Sequence, residues 1–552
     1  MSTRTVADHL VGRLYDAGID TVFGVHGANI EDVFDAVARH PDCTPVIAKH
    51  EFGAGAMADG LARVRDGYAA VLTTSGAGAL NVIPALAESY DSRVPVLAVI
   101  GSAPRAAIGA GGFQDMLSPP DTIDIAAVLG GVVGSCVVIR SVAQVAAAVD
   151  QALATLDRGF PAALVIPKDV QSAAMSDCAS TPSDTRLSRD PRALADVAAT
   201  LAEVVAAGGS VCVWAGAETS RHRLREPLSA LVDALGATMV VSPEARDVAI
   251  DECAGVTGVM GHPSAHRALA DADMVLAIGT RMSSTERAGL DEILGTRTVL
   301  HIGGHPPRAP GLAKHLCVPD IGWAVAELTD QVRSLGQRTR VRQTRQMEYL
   351  PTPPTVGLGM RTSIEIVGAA LPDHAVMFAD AGNTGAAAIH HLPWSPARFV
   401  VALGMGGMGY AIAAGIGTAI GTPAPEITRV VIVCGDGSFF MHGMELHTAV
   451  EYGAPVTLIV LNNDAHGMCV TRERQYFPET PALNRFRHTD IAGGIAAMFG
   501  GLTVRHAPDA ATLRGACAEF MTASGPNCIV VDVDPDEIPP FAPFVPEGAH
   551  DH

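Results

Sequence analysis

The chain has 552 residues, 48% of them hydrophobic and 17% charged, with a formal net charge of −20. That balance excludes a disordered chain and a nucleic-acid surface built on bulk positive charge, and the length predicts about three domains of roughly 150 residues. The ten cysteines are scattered, with no CxxC pair and no His/Cys ligand spacing, which points to reduced core thiols of a cytoplasmic protein rather than a disulfide framework or a zinc site.

The first segment, MSTRTVADHLVGRLYDAG, reads as an amphipathic helix and lacks the apolar core of a signal peptide. Strand-like and helical stretches then alternate: TVFGVH, a helix from Ile30, PVIAK, a helix from Glu51, AAVLTT, VPVLAVIG and PAALVIPKDVQ. This is the pattern of a parallel sheet with crossover helices, and it predicts a first domain over 1–175. The polar segment Ser176–Arg192 reads as a linker. A second α/β unit is expected over 190–335, with strands at SVCVWAG, ATMVVS, DMVLAIG and TVLHIGG. An arginine-rich arm ending in LPTPPT follows, read as a solvated connection in so acidic a chain. The third unit covers 358–535, and 536–552 form a proline-rich tail. The expected fold class is α/β, with three doubly wound parallel-sheet domains.

Phe399–Pro425 has no charged residue over 27 positions, longer than the ~20 a membrane span needs. Seven of those positions are glycine, and each weakens a helix by up to ~1 kcal/mol. A buried helix behind a glycine-rich loop is the better reading. Within it, Gly404–Gly409 is a literal GxGxxG, but the acid that would bind a ribose, Glu426, stands before the next strand rather than at its end, so a nicotinamide site is not expected.

In the third unit, GDGSFFMHGMELHTAVEYGAPVTLIVLNND (Gly435–Asp464) puts a Gly-Asp-Gly turn directly after the β-branched run Arg429–Cys434. A helix at His447–Tyr452, a strand at Pro455–Leu461 and two asparagines follow. Asp436 and Asn463 are therefore expected at the carboxyl ends of two strands of one sheet, the edge where open α/β sheets bind ligands. One carboxylate and one amide oxygen suit a hard cation such as Mg²⁺, which takes further ligands from phosphate and water.

The 27-residue interval from Asp436 to Asn463, in that strand–helix–strand setting, resembles the fingerprint of the thiamine diphosphate enzymes, the family of acetolactate synthase, pyruvate oxidase, benzaldehyde lyase and the 2-oxoacid decarboxylases. AKHEFGAGAMADGLAR, TTSGAGALN, DSRVPVLAVIG, PKDVQ, DAGNT and LGMGGMGYAIAAGIG follow the same family in order along nearly the whole chain. The resemblance implies pyrimidine-binding, central and diphosphate-binding domains, with thiamine diphosphate and Mg²⁺ as cofactors. It implies Asp436, Asn463 and the Ala465 carbonyl as metal ligands. It places Gly382, Asn383, Thr384, Gly435, Gly437 and Ser438 about the diphosphate, with His466, Gly467 and Met468 beside them. The Gly406 carbonyl would accept from the cofactor's 4′-amino group and Met408 would wedge the bent cofactor, plain core packing being the alternative for that methionine. Glu51 is the family's acid; in an apolar pocket its pKa would rise, and it would exchange a proton with the aminopyrimidine.

Two residues, His26 and Gln114, bear on the reaction. GVHGANIEDVF resembles benzaldehyde lyase and makes His26 a candidate acid/base, with capping or packing as the alternative. GGFQD resembles the Phe-Gln segment of acetolactate synthases and makes Gln114 a substrate-facing group. Adjacent His390-His391 fall in the wrong domain for the paired histidines of pyruvate decarboxylase. Arg472 stands where the synthases carry a specificity tryptophan, and GTRMSST lacks the acidic pair of the flavin-binding members, which argues against branched-chain synthesis and against FAD, while GVMGHPSAHRALADADMVLAIG follows the family layout and leaves a vestigial nucleotide site open. The resemblance implies a decarboxylating carboligase that joins a 2-oxo acid such as pyruvate to a carbonyl acceptor, or an acyloin lyase/ligase without decarboxylation. It also implies a homodimer or homotetramer with each site at a subunit interface, and neither nucleic-acid nor membrane partners.

Overall fold

Each stretch of alternating strand and helix signals closes into its own parallel sheet. The computed structural model describes residues 4–175, 189–307, 309–335, 346–351, 353–394, 398–422 and 424–544; most of both expected linkers and the end of the tail lie outside the described residues. The first sheet contains β1 (Thr21–Val25), β2 (Thr44–Ile47), β3 (Ala69–Thr73), β4 (Val96–Ser102), β5 (Ser135–Val138) and β6 (Ala162–Pro167), in the order β2-β1-β3-β4-β6-β5. The second contains β7 (Val211–Ala215), β8 (Thr238–Val241), β9 (Met274–Ile278), β10 (Thr298–Gly303) and β11 (Leu312–Cys317), in the order β11-β10-β9-β7-β8. The third contains β12 (Ala375–Ala379), β13 (Arg398–Val401), β14 (Arg429–Gly435), β15 (Val456–Asn462), β16 (Thr503–Ala507) and β17 (Asn527–Asp532), in the order β13-β12-β14-β15-β17-β16.

The central strands are apolar on both faces because helices cover both; β4 and β15 are buried at every residue. The edge strands β5, β11 and β16 are half-exposed and carry mixed sequences such as LAKHLC and TVRHA, so no continuous apolar run announces them. In the first and third sheets the chain order reverses between β1 and β3 and between β12 and β14. Those two switch points are where crevices open at the strands' carboxyl ends.

The charge-free stretch splits into β13, a glycine-rich loop and the helix Tyr410–Gly421, buried at all but one position. That helix crosses the helix Glu51–Arg65 of the first domain at very short range. A Cβ on Gly60 would lie 2.5 Å from the Ala414 carbonyl oxygen, so glycine is what permits the crossing. One hydrophobic core spans this contact and joins the first and third domains; another joins the central and third. Among the described residues no helix is long and apolar enough to cross a membrane.

One local expectation is corrected. Gly435–Gly437 is not a turn: Gly435 ends β14 as the N-cap and Asp436 begins the helix Asp436–His442 at once, with a second helix at Leu446–Glu451. Gly-Asp-Gly is compatible with both states, and the packing of Phe439 into the core decides for helix.

Candidate active site

At the switch point of the third sheet, β12, β14 and β15 deliver Asp380, Asp436 and Asn463 side by side. Asp436 is 1% exposed. Its Oδ1 accepts from Gly437 N at 2.8 Å and its Oδ2 from Ala465 N at 3.2 Å, while Asn463 Oδ1 accepts from the same Ala465 N at 3.2 Å. Two oxygens from neighbouring strands thus converge on one point, the arrangement a hard cation needs. Burial, only partly offset by the Gly437 and Ala465 amides, pushes the Asp436 carboxyl up to about 6.

The predicted cofactor residues gather around this pair. Gly437 faces His466 and Met408: a Cβ there would lie 2.5 Å from His466 Nδ1 and 3.3 Å from the Met408 methyl. Gly467 faces Asn383 and Asn463, at 2.6 and 2.7 Å on the same measure, and Thr384 lies 3.6 Å from the corresponding point on Gly435. Asn383 Oδ1 and Nδ2 and His466 Nδ1 are buried without hydrogen-bond partners, which is costly unless a ligand supplies them. Ser438 is buried against Asp380, and Met468 is half-buried in the first turn of the helix Gly467–Tyr476. Gly382 is the N-cap of the helix Asn383–His391, whose first turn presents backbone N–H groups. The residues therefore fit a diphosphate and a divalent cation: convergent oxygens, orphaned polar atoms and an open helix terminus.

The glycine loop is fixed from the end of β12. Asp380 accepts from Gly409 N at 2.6 Å and Ala411 N at 3.2 Å, tying Met408 against Gly437. Gly406 is exposed and in the left-handed region (φ 63°). Asp380 sat inside the DAGNT motif, yet nothing local shows that its carboxylate reaches residues about 30 positions on.

The first domain contributes a second group. Glu51 opens the helix Glu51–Arg65 and is 9% exposed. Its pocket is not the apolar one expected: Asn81 Nδ2 donates to Glu51 Oε2 at 2.9 Å. Among the described residues no hydrogen bond links Glu51 to the Asp436 group. The nearer link is Phe52, whose ring lies 4.5 Å from that of His442. Glu445, buried in the third domain, also accepts from Lys49 N at 3.0 Å and His50 N at 3.1 Å and so steadies the turn before Glu51.

At the switch point of the first sheet, His26 is exposed after β1, its ring 5.2 Å from Phe34. The following helix, Glu31–Arg39, has no side-chain cap, so the capping alternative for His26 is removed. Asn29 Nδ2 donates to Ser75 Oγ at 2.6 Å, and Ser75 Oγ donates to Gln114 Oε1 at 3.0 Å. With its oxygen engaged, Gln114 presents its N–H₂ as a donor. Asn29 and Ser75 were not singled out from the sequence. Phe113 beside Gln114 is 83% exposed. His390 and His391 lie elsewhere, packed on His262 and Tyr349.

In the central domain the turn after β7 is closed. Glu218 N donates to Gly279 O at 3.0 Å, and a Cβ on Gly216 would lie 2.2 Å from Thr280 Cα. Glu218 in that first turn accepts from Gly304 N at 2.9 Å.

Comparison with known proteins follows the same three-part division. Residues 4–125 match the family model for the thiamine pyrophosphate enzyme N-terminal TPP binding domain, 198–315 that for the central domain, and 380–531 that for the C-terminal TPP binding domain. The catalytic subunit of mitochondrial acetolactate synthase from Saccharomyces cerevisiae is 26% identical over 96% of this chain and 80% of its own. The large subunit of acetolactate synthase isozyme 1 from Escherichia coli is 26% identical over 99% of this chain and 96% of its own. Among solved structures, a Mycobacterium smegmatis protein assigned to the thiamin diphosphate-dependent enzymes superposes with a TM-score of 0.76 at 23% identity, covering 96% of this chain and 99% of its own; at that identity the likeness speaks for the fold.

Proposed function

Because the chain belongs to the thiamine pyrophosphate-dependent enzymes and resembles acetolactate synthase over nearly its whole length, we propose that it is a Mg²⁺-dependent decarboxylating carboligase, taking a 2-oxo acid such as pyruvate as donor and a carbonyl compound as acceptor. The observation that carries this reading is the group of Asp436, Asn463, Asn383 and His466, with convergent oxygens and orphaned polar atoms at one switch point. Asp436, Asn463 and the Ala465 carbonyl would hold the cation, and Gly382, Asn383, Thr384, Gly435, Gly437 and Ser438 the diphosphate. When bound, the cofactor supplies carbanion chemistry that no side chain offers.

The chain's own residues then bind, orient and move protons. Asp380 holds the loop that presents Met408 and the Gly406 carbonyl. Glu51 would be the acid that gives a proton to the bound cofactor and takes it back, with Asn81 keeping its carboxylate in one orientation. Gln114, fixed as a donor by Ser75, bonds a substrate oxygen. His26 at the crevice mouth would give and take the proton that C–C bond formation and product release require. Glu51 bonds within its own domain, and Met405 of the glycine loop is 56% exposed, which supports a second copy completing the site in a homodimer or homotetramer. The GTRMSST stretch of the central domain, without the acidic pair, supports leaving flavin out, and the protein is read as cytoplasmic.

The test is a product assay with thiamine diphosphate and Mg²⁺. Pyruvate should release CO₂ and yield an acyloin-type product with an aldehyde or second 2-oxo acid. His26→Ala should slow ligation while leaving cofactor binding intact. Cleavage of acyloins with no CO₂ from any 2-oxo acid would replace this reading with the lyase.

A further inference from the structure

Glu88 stands on the helix Ile83–Ser92 of the first domain and is 3% exposed. Its carboxylate points across the domain boundary: Oε2 accepts from Met405 N at 2.6 Å and Oε1 from Gly404 N at 3.3 Å. The same Oε1 accepts from Arg63 Nη2 at 3.0 Å and Ser92 Oγ at 2.6 Å. Arg63 in turn donates from Nε to Asp59 Oδ1 at 2.6 Å, Ser89 Oγ donates to Asp59 Oδ2 at 2.7 Å, and the Tyr410 hydroxyl donates to Asp59. Burial alone would push the Glu88 carboxyl up, but the Arg63 charge and the Met405 amide hold it below the usual range.

Gly404–Gly409 is therefore anchored at both ends by buried carboxylates from different domains, Glu88 at its entrance and Asp380 at its exit, with Gly406–Met408 spanning the gap. Met405 and Gly406 are exposed, so the span has little packing of its own, and its path follows from the anchors. We propose that Glu88 is a positioning residue for this loop, holding the first domain's side of the span so that Gly406 and Met408 are set before a cofactor arrives. The proposal rests on the functional reading above, which makes the loop part of the cofactor site. Three of the four partners of Glu88 can only donate, so the position requires a carboxylate. Glutamine has the same size, yet offers one acceptor and brings two N–H groups into a pocket of donors.

The test is Glu88→Gln, with far-UV circular dichroism to establish folding. Amide hydrogen exchange in the protein without cofactor should show the Gly404–Met405 amides exchanging at least about tenfold faster, with the strands of the third sheet unchanged, as expected for a local opening. The dissociation constant for thiamine diphosphate with Mg²⁺, by fluorescence quenching, should rise at least about tenfold. If the substitution prevents folding, Glu88→Asp keeps the charge, shortens the reach by one methylene, and should move both readouts in the same direction. Unchanged exchange at Gly404–Met405 overturns the proposal. Faster exchange with unchanged cofactor affinity overturns it too, since loop order would then be irrelevant to binding. A wild-type protein that fails to bind thiamine diphosphate removes the functional reading itself, an outcome visible before any variant is made.

Discussion

His391→Phe should separate a conspicuous histidine pair from the chemistry. His391 ends the helix Asn383–His391, is 3% exposed, and its buried Nδ1 has no hydrogen-bond partner. Its ring stacks on Tyr349 with centroids 5.9 Å apart and meets His390 edge-on at 4.7 Å. Burial first, then the charges of His390, Arg361 and Arg246, push its pKa down to about 3. The folded state thus holds the neutral ring, while an unfolded histidine titrates near 6.5. Above about pH 6.5 both states are neutral and no proton is involved; as pH falls below that, the unfolded chain takes up a proton the folded chain refuses, and stability is lost until the folded pKa is reached. At pH 5 the penalty is on the order of 2 kcal/mol at 1.36 kcal/mol per pH unit. Phenylalanine removes it along with the orphaned nitrogen, itself worth roughly 1–3 kcal/mol, against some crowding. The variant should therefore match or exceed the wild type at pH 7, and its advantage should grow by about 2 kcal/mol at pH 5. Urea unfolding at the two pH values measures this, alongside turnover per folded enzyme, which should be unchanged. A gap that does not widen on acidification would refute the electrostatic account, and a tenfold loss of turnover would place the pair in the active site after all.

Asp436→Ala should abolish tight thiamine diphosphate binding while leaving the fold intact, because cation and diphosphate share ligands; titration calorimetry showing wild-type affinity would remove Asp436 from the metal site. Glu51→Gln can still accept from Asn81 but cannot take up the charge, so turnover should fall at least ~10²-fold with cofactor bound; near-normal exchange of the cofactor's C2 proton in deuterated buffer would contradict the role. Gly60→Ala places a methyl 2.5 Å from the Ala414 carbonyl, where neither helix backbone can give way locally, and should destabilise by roughly 1–3 kcal/mol; an unaltered thermal transition would show that the helices can part without loss.

Much of the architecture is legible in the sequence because local physics decides it. Apolar β-branched runs such as RVVIVC and PVTLIVL bury both faces under helices and mark central strands, whereas β5, β11 and β16 are half-exposed edges and carry no such run. The charge-free 399–425 stretch was resolved by its glycines, which predict a buried, close-packed helix. Asp436 and Asn463 are paired by the two apolar runs they follow, since each lies just past the end of a strand and the two strands are neighbours in register. Glu51, Gln114 and His26 are reached from the sequence only through the resemblance of their motifs to those of a known family. What only the tertiary structure decided are the groups that act at a distance: Asp380 on the Gly409 and Ala411 amides, Asn81 on Glu51, Asn29 and Ser75 on Gln114, Glu445 on the turn before Glu51, and Glu88 on Gly404 and Met405. A carboxylate's partner is chosen by which backbone amide lies within about 3 Å once the domains have packed. No periodicity in the chain encodes that, and Glu88 and Glu445 look from sequence like ordinary charged residues in helices until the opposite domain closes over them.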